Sequence, residues 1–547
     1  MTNRVFALGL DGATFDLIRP WAAEGRLPTL ARLMEEGCWG TLRSVIPPLT
    51  MPAWASFLTG LSPGRHGLYS FLRREEDSYN FTPFNASYLR APGLGELLSR
   101  RQCRVALVNM PATYPTQPVN GIVVTGLETP GRHSRFTYPE DLGRTLIERF
   151  DYEIERSEKY EAGREEAFIA AVERVEQKRL QAALWLLKEF DWDLFSIVFR
   201  GTDVIAHAFW RFMDPDHPAH EPEKAAAYGD TILRHYQWMD GAIAAVMAGL
   251  DSDTTLMLMS DHGFGGLYRD VYVDNVLERA GLIRLKQSVP ARVRQLLFRL
   301  GLTPHNAMRL LAALRLQNLV RRMLSGEARA VVKASVSLQS SVDWSRTRVF
   351  SLGGGQLYVN LKGRDPQGVV APGREFEATC RQVEGALHAL RDPGTGEPVV
   401  ERVWRKQEIY GDNVLPDVPD LYVQWRGDHY VDMGGIGFGH GFFSAPIRGR
   451  SGGHTMRGIF VAHGPGIKRG QEIEGAQIVD LAPTIMHLMG QPVPSGLDGR
   501  VLQEIFADHA TRPVAYEEVA VEGQEQQAFD RDEEAVVEQR LRDLGYI

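Results

Sequence analysis

Val5-Phe6-Ala7-Leu8-Gly9-Leu10-Asp11-Gly12 is a short apolar run that stops at an acid and a glycine. A run of this length, closed by a turn dipeptide, reads as a buried strand leading into a turn that carries function. The same pattern recurs at Arg104 to Met110, Gly121 to Thr125, Leu194 to Phe199, Thr254 to Met259 and Gly458 to Ala462. Helical periodicity lies between these runs. It covers Leu27-Pro28-Thr29 to about Glu36, Gly93 to Arg101, residues 164 to 190, residues 222 to 249, and Asp480 to Met489. Pro28 suits the first turn of its helix. Strands alternating with helices give an α/β fold with a mostly parallel sheet. In such sheets function gathers at the carboxyl ends of the strands. Asp11, Asp203 and Asp261 each stand just after a predicted strand, so they are expected to meet in space.

The chain has 547 residues, too many for one simple core, so a catalytic domain carrying insertions is expected. Apolar residues make up 44% and charged residues 24%, which are globular values, and the formal net charge of -8 argues against a nucleic acid duplex or an anionic membrane as partner. Cys38, Cys103 and Cys380 are far apart, and no pair has metal-ligand spacing. The first apolar run is short and ends in an acid, unlike a secretory leader. No uncharged window reaches transmembrane length. A cytoplasmic setting is the resulting expectation.

The chain divides into five segments. Residues 1–282 are the first part of the core. Residues 283–345 are rich in Arg and Leu, with Val293, Leu296, Leu297 and Leu300 at helical spacing, and read as an inserted helical cap. Residues 346–425, with the strand-like run Gln356 to Leu361 and the turn Asp392-Pro393-Gly394, read as an α+β insertion. Residues 426–507 return to the core. Residues 508–547 form an acidic tail, read as a flexible arm with a short terminal docking helix.

Four segments offer metal ligands: Gly9-Leu10-Asp11-Gly12, Asp203-Val204-Ile205-Ala206-His207, Asp261-His262-Gly263 and Ser451-Gly452-Gly453-His454. The D-x-x-x-H spacing puts Asp203 and His207 on one face of a helix. Each fragment alone is weak, since Asp-Gly is commonly only a turn and a lone His is commonly a surface or core residue. Together they supply three carboxylates and three imidazoles, a set that suits two zinc ions with positions left open for substrate. The candidate nucleophile is Thr50, in Pro47-Pro48-Leu49-Thr50-Met51-Pro52-Ala53-Trp54. Pro52 can begin a helix, which puts Thr50 at or near its N-cap. Capping could be its whole role. A helix N-terminus also favours a phosphoryl group, however, and a metal can activate a hydroxyl.

These motifs resemble the alkaline phosphatase superfamily, in particular its type I phosphodiesterase/nucleotide pyrophosphatase-like branch and nearby phosphohydrolase-or-phosphomutase proteins. The segments that carry the resemblance are LGLDG, PPLTMPAWASFLTGLSPGRHGL, GTDVIAHAFW, MSDHGFGG, GGHTMRGIFVAHGPG and IVDLAPTIMHLMGQPVP. The resemblance implies a doubly wound core and two divalent metals, with zinc first and manganese second. It places Asp11, Asp261 and His262 on one metal, Asp203, His207 and His454 on the other, and Thr50 as the attacking group. A two-metal phosphoester hydrolase acting through a phospho-threonine is therefore expected. The alternatives are a phosphomutase or phosphomonoesterase with the same site, or a metal-stabilised binding protein. The expected substrate is a small phosphorylated molecule, with nucleotides and nucleotide sugars among the candidates. One departure stands out. The branch places an Asn downstream of the nucleophile to hold a phosphate oxygen, and neither Asn80 nor Asn85 aligns with it. Arg65, Arg73 or Arg74 could take that role, since arginine grips phosphate bidentately, or could be surface residues. Sulfatase chemistry is disfavoured, because Thr50-Met51-Pro52-Ala53 lacks the Cys or Ser motif it needs.

Overall fold

The computed structural model describes residues 4–287, 341–433, 441–446, 449–510, 512–519 and 526–544. Nine strands form the main sheet: β1 (Val5–Leu10), β2 (Cys38–Arg43), β3 (Val105–Met110), β4 (Gly121–Thr125), β5 (Thr137–Tyr138), β6 (Leu194–Phe199), β7 (Thr255–Met259), β8 (Arg457–His463) and β9 (Gln471–Ile473). Their spatial order is β9-β2-β8-β7-β1-β6-β3-β4-β5. The five central strands β7, β1, β6, β3 and β4 are mutually parallel. β8 runs antiparallel to both of its neighbours, and β5 antiparallel to β4. Apolar side chains alternate along the strands between two cores. Val5 and Ala7 join one, while Phe6, Leu8 and Leu10 join the other on the opposite face. A strand buried on both faces must be apolar throughout, which is why β1, β3 and β6 read as unbroken runs. The fold is α/β with a doubly wound, mostly parallel sheet.

Helix α1 (Thr50–Thr59) opens on the candidate nucleophile, and α2 (Gly201–Met213) carries Asp203 and His207. Helix α3 (Arg374–His388) lies in the inserted part and α4 (Arg531–Leu544) in the tail. Helix α1 lies flush on β1 because Gly9 has no side chain. A Cβ there would stand 2.3 Å from the Trp54 ring. The helical pattern over residues 222 to 249 resolves into two helices, Pro222–Tyr228 and Thr231–Met247, broken at Gly229-Asp230.

Strands Val349–Gly353, Gln356–Val359, Leu421–Trp425 and Val400–Arg405 make a separate antiparallel sheet in that order, with α3 packed against it around its own apolar core. The helical cap expected at 283–345 falls, over residues 288–340, outside the described residues. In the tail, α4 is docked rather than loose. Val537 and Leu541 are buried in the main core, and Arg540 donates to the carbonyls of Leu127 (2.8 Å), Thr129 and Pro130 (3.0 Å). Among the described residues no helix is long and apolar enough to cross a membrane.

Candidate metal centre

The turn after β1 carries Asp11, the turn after β7 carries Asp261 and His262, and α2, which follows β6, carries Asp203 and His207 one turn apart. These three strands are neighbours, so their carboxyl ends bring the five residues together. Gly12 adopts φ +69°, a left-handed conformation that favours glycine, and its N–H donates to Asp261 Oδ1 (3.2 Å). His454 arrives from the far end of the chain. Gly452–Thr455 forms a short strand paired with Gly263–Gly266, with Phe264 opposite His454. That register stacks the rings of His262 and His454 with centroids 3.6 Å apart.

All three imidazoles are oriented in the same way. His207 Nδ1 meets the carbonyl of Gly452 (2.8 Å), His262 Nδ1 that of Gly263 (3.0 Å), and His454 Nδ1 that of Pro48 (2.9 Å). A ring whose Nδ1–H donates to a carbonyl presents Nε2 as a lone pair. Those lone pairs converge. His207 Nε2 lies 3.0 Å from His454 Nε2, and Asp203 Oδ1 lies 3.2 and 3.1 Å from the two. On the other side, His262 Nε2 lies 3.2 Å from Asp261 Oδ2 and 3.6 Å from Asp11 Oδ1. His262 belongs to both groups, since ligand atoms of Asp11, Asp261 and His262, and of Asp203, His262 and His454, lie within 4.8 Å of one another.

The donor set fits cations. Two facing nitrogen lone pairs at 3.0 Å attract only something positive between them. Asp11 Oδ1 and Asp261 Oδ2 are buried without a hydrogen-bond partner among the described residues. Burial first, then the charge of Asp203, pushes the Asp11 carboxyl up to about 8. Burial, then Asp11 and Asp203, pushes Asp261 well above the usual range. Burial lowers His207 to about 4 and holds His262 well below the usual histidine range, which keeps these rings neutral as metal binding requires. Three carboxylates so close together cannot all ionise in a dry site unless cations compensate them.

Thr50 is the first residue of α1, and the N-cap is Leu49. Its hydroxyl makes no capping bond. It lies 3.3 Å from His262 Nε2, fully buried. This agrees with the expected position at or near the N-cap: the backbone of Leu49 is still extended, and Thr50 is the first residue of the helix. Pro52 has no N–H and Ala53 donates to Leu49, so the amides of Thr50 and Met51 are the remaining first-turn donors.

None of the three arginines put forward for phosphate reaches the centre. Arg65 pairs with Asp498 (2.6 Å), Arg74 with Asp365, and Arg73 lies over the Tyr88 ring. Asn85 turns to the tail instead, donating to the Gln527 carbonyl. The arginine that does reach it is Arg200, which sequence reasoning missed. It is buried, donates to Asp11 Oδ2 (3.1 Å) and Glu155 Oε1 (2.6 Å), and has a guanidinium nitrogen 3.8 Å from Asp203 Oδ2. Its place directly after the β6 run, three residues before Asp203, was the available signal.

Beside the centre lies a cavity of about 280 Å³, walled by Pro47 to Leu49 and His454 on the core side and by Leu352 to Gly354 and Val423 to Trp425 from the inserted sheet.

The sequence matches the family model described as type I phosphodiesterase / nucleotide pyrophosphatase over residues 5–434. No curated protein matches it. Among solved structures, human ectonucleotide pyrophosphatase / phosphodiesterase 5 is similar at 13% identity, over 92% of this chain and 99% of that chain, with a TM-score of 0.49. With the family model matched across most of its length, and with grouped carboxylates and imidazoles at the strand ends, the chain belongs to the type I phosphodiesterase / nucleotide pyrophosphatase family and is a metal-dependent phosphoester hydrolase.

Proposed function

We propose that the enzyme cleaves phosphodiesters of small molecules by attack of Thr50 on phosphorus. Asp11, Asp261 and His262 would hold one cation and Asp203, His207 and His454 the other, with zinc the favoured metal and manganese second. When bound, the two cations supply Lewis acidity for the phosphoryl oxygens and lower the pKa of a hydroxyl held against them. The observation that carries this reading is the Thr50 hydroxyl, 3.3 Å from the Nε2 of a ligand imidazole and free of any capping duty. Thr50 loses its proton and forms the new P–O bond. The proton passes to solvent, one ester oxygen leaves with the electrons of the broken bond, and water then cleaves the P–O bond to Thr50 in an adduct that still carries the second ester group. The α1 terminus adds a favourable dipole for the phosphoryl charge, while Arg200 keeps Asp11 oriented. Residues 346–425 act as a substrate-selecting insertion, because their sheet forms one wall of the cavity beside Thr50. Acid-quenching the zinc enzyme during turnover of bis(4-nitrophenyl) phosphate tests the reading. A 4-nitrophenyl phosphoryl group on Thr50, with release of one 4-nitrophenolate, is the expected result by mass spectrometry. Turnover with a phosphoryl group on no side chain would mean direct attack by water and would end the covalent mechanism.

A further inference from the structure

The cavity beside the centre has a composition that the reaction itself does not require. Leu49 and Met456 come from the core, Leu72 from the segment that follows α1, Leu352 from the inserted sheet, and Val431 and Met433 from the return to the core. All six are half-buried. Elsewhere the described residues leave few large apolar side chains uncovered, Tyr516 and Val536 being the exposed ones. Half-covered apolar side chains gathered around one hollow mark a ligand surface. The charged residues of the wall, other than the proposed ligand His454, are Asp428, Asp432, Arg450 and Arg542: two acids and two bases. Asp432 is turned to the protein, accepting from the N–H of Gly355 (3.2 Å) and the hydroxyl of Ser351 (3.0 Å), and Arg542 is paired with Glu538, so one acid and one base of the wall are engaged within the protein. A wall so balanced offers little to a second phosphate or a polyphosphate chain. The volume of about 280 Å³ equals roughly nine waters at ~30 Å³ each. That is room for an aryl ring or a chain of several carbons.

Resting on the phosphoesterase reading above, we propose that this cavity takes an apolar ester group of the substrate, so that the preferred substrates are phosphoesters of apolar alcohols or phenols rather than nucleotides. Thr50 follows Leu49 directly, and His454 belongs both to the metal centre and to the cavity wall. A group esterified to a phosphorus held at Thr50 therefore has the apolar hollow next to it. Each methylene that leaves water for such a surface tightens binding about threefold to fourfold.

Calorimetry of the zinc-loaded protein with methyl-, butyl- and octylphosphonate tests this without turnover. Affinity should rise on the order of tenfold or more from methyl to butyl. Leu352→Gln should flatten that rise, while Leu352→Met, which conserves volume, should keep it. Matching melting temperatures for the two variants would show that both fold. Equal affinity for methyl- and butylphosphonate, or tighter binding of thymidine 5′-monophosphate than of butylphosphonate, would overturn the proposal. Turnover of 4-nitrophenyl butyl phosphate and of the 4-nitrophenyl ester of thymidine 5′-monophosphate separates the two readings. Chain-length-dependent binding with no turnover of any diester would leave the cavity assignment standing and defeat the phosphodiesterase reading. Turnover with chain-independent binding would defeat the cavity assignment alone.

Discussion

Under the proposed mechanism Thr50 contributes chemistry and little stability, because its hydroxyl faces His262 and makes no capping bond. Thr50→Ala should abolish diester cleavage, keep close to the native metal content, and cost less than the ~1 kcal/mol of a lost cap. Thr50→Ser should retain substantial activity. An active Thr50→Ala enzyme in a steady-state assay would remove Thr50 from the reaction. The proposed ligands make the complementary prediction: Asp203→Ala combined with His454→Ala should lower bound divalent metal from about two equivalents to about one by elemental analysis. His66 sets a pH limit that does not depend on metal. Leu68 N–H donates to its Nδ1 (3.2 Å), so Nε2–H faces the Ser56 hydroxyl (2.9 Å), and a second proton has no acceptor. Burial lowers this histidine to about 3. A free histidine titrates near 6.5, so below that pH the unfolded chain binds the extra proton and the folded chain does not. The stability is complete above about 6.5 and is lost as pH falls from there toward 3. His66→Gln should remove about 2 kcal/mol of the difference in urea stability between pH 7 and pH 5.

At the scale of elements, the site depends on how closely the Gly452–Thr455 strand lies against α2. A Cβ on Gly452 would stand 2.4 Å from the Phe264 ring and 2.5 Å from the Ala206 carbonyl. Gly452→Ala should push this strand away, weaken the Gly452–His207 contact, and lower zinc affinity more than it lowers the melting temperature. Unchanged zinc titration would show that the strand tolerates the shift. Much of this scale was legible in the sequence. β1 and β6 could be delimited because strands buried on both faces are apolar throughout, and the Asp203–His207 spacing named a helix face. Three things were not legible. An apolar run has no direction, so nothing in Gly458 to Ala462 showed that β8 runs antiparallel. Gly229-Asp230 interrupts a periodic pattern without changing its period, so two helices read as one. The register that sets Phe264 opposite His454 joins residues nearly two hundred positions apart, and local spacing carries no trace of it. Arg200 was missed for a different reason: a buried arginine is expected only where its carboxylates are already known to meet.

On the scale of the whole molecule, the tail belongs to the fold. Arg540 reaches three carbonyls, and Val537 and Leu541 sit in the main core. Arg540→Ala should cost on the order of 3 kcal/mol, since it strips charge-assisted bonds from buried carbonyls. A melting temperature within a degree of the native value would place the helix outside the cooperative unit. The strand order has a consequence for the chain during synthesis. β8 lies between β2 and β7, yet it is made after both and after the whole inserted region. At ~5–20 residues per second, the roughly 440 residues between Asp11 and His454 take from about twenty seconds to more than a minute to leave the ribosome. Throughout that interval β2 and β7 each keep an open edge, the form of surface that invites pairing between chains. The half-made enzyme thus carries unpaired strand edges, and its active centre closes only after His454 has emerged.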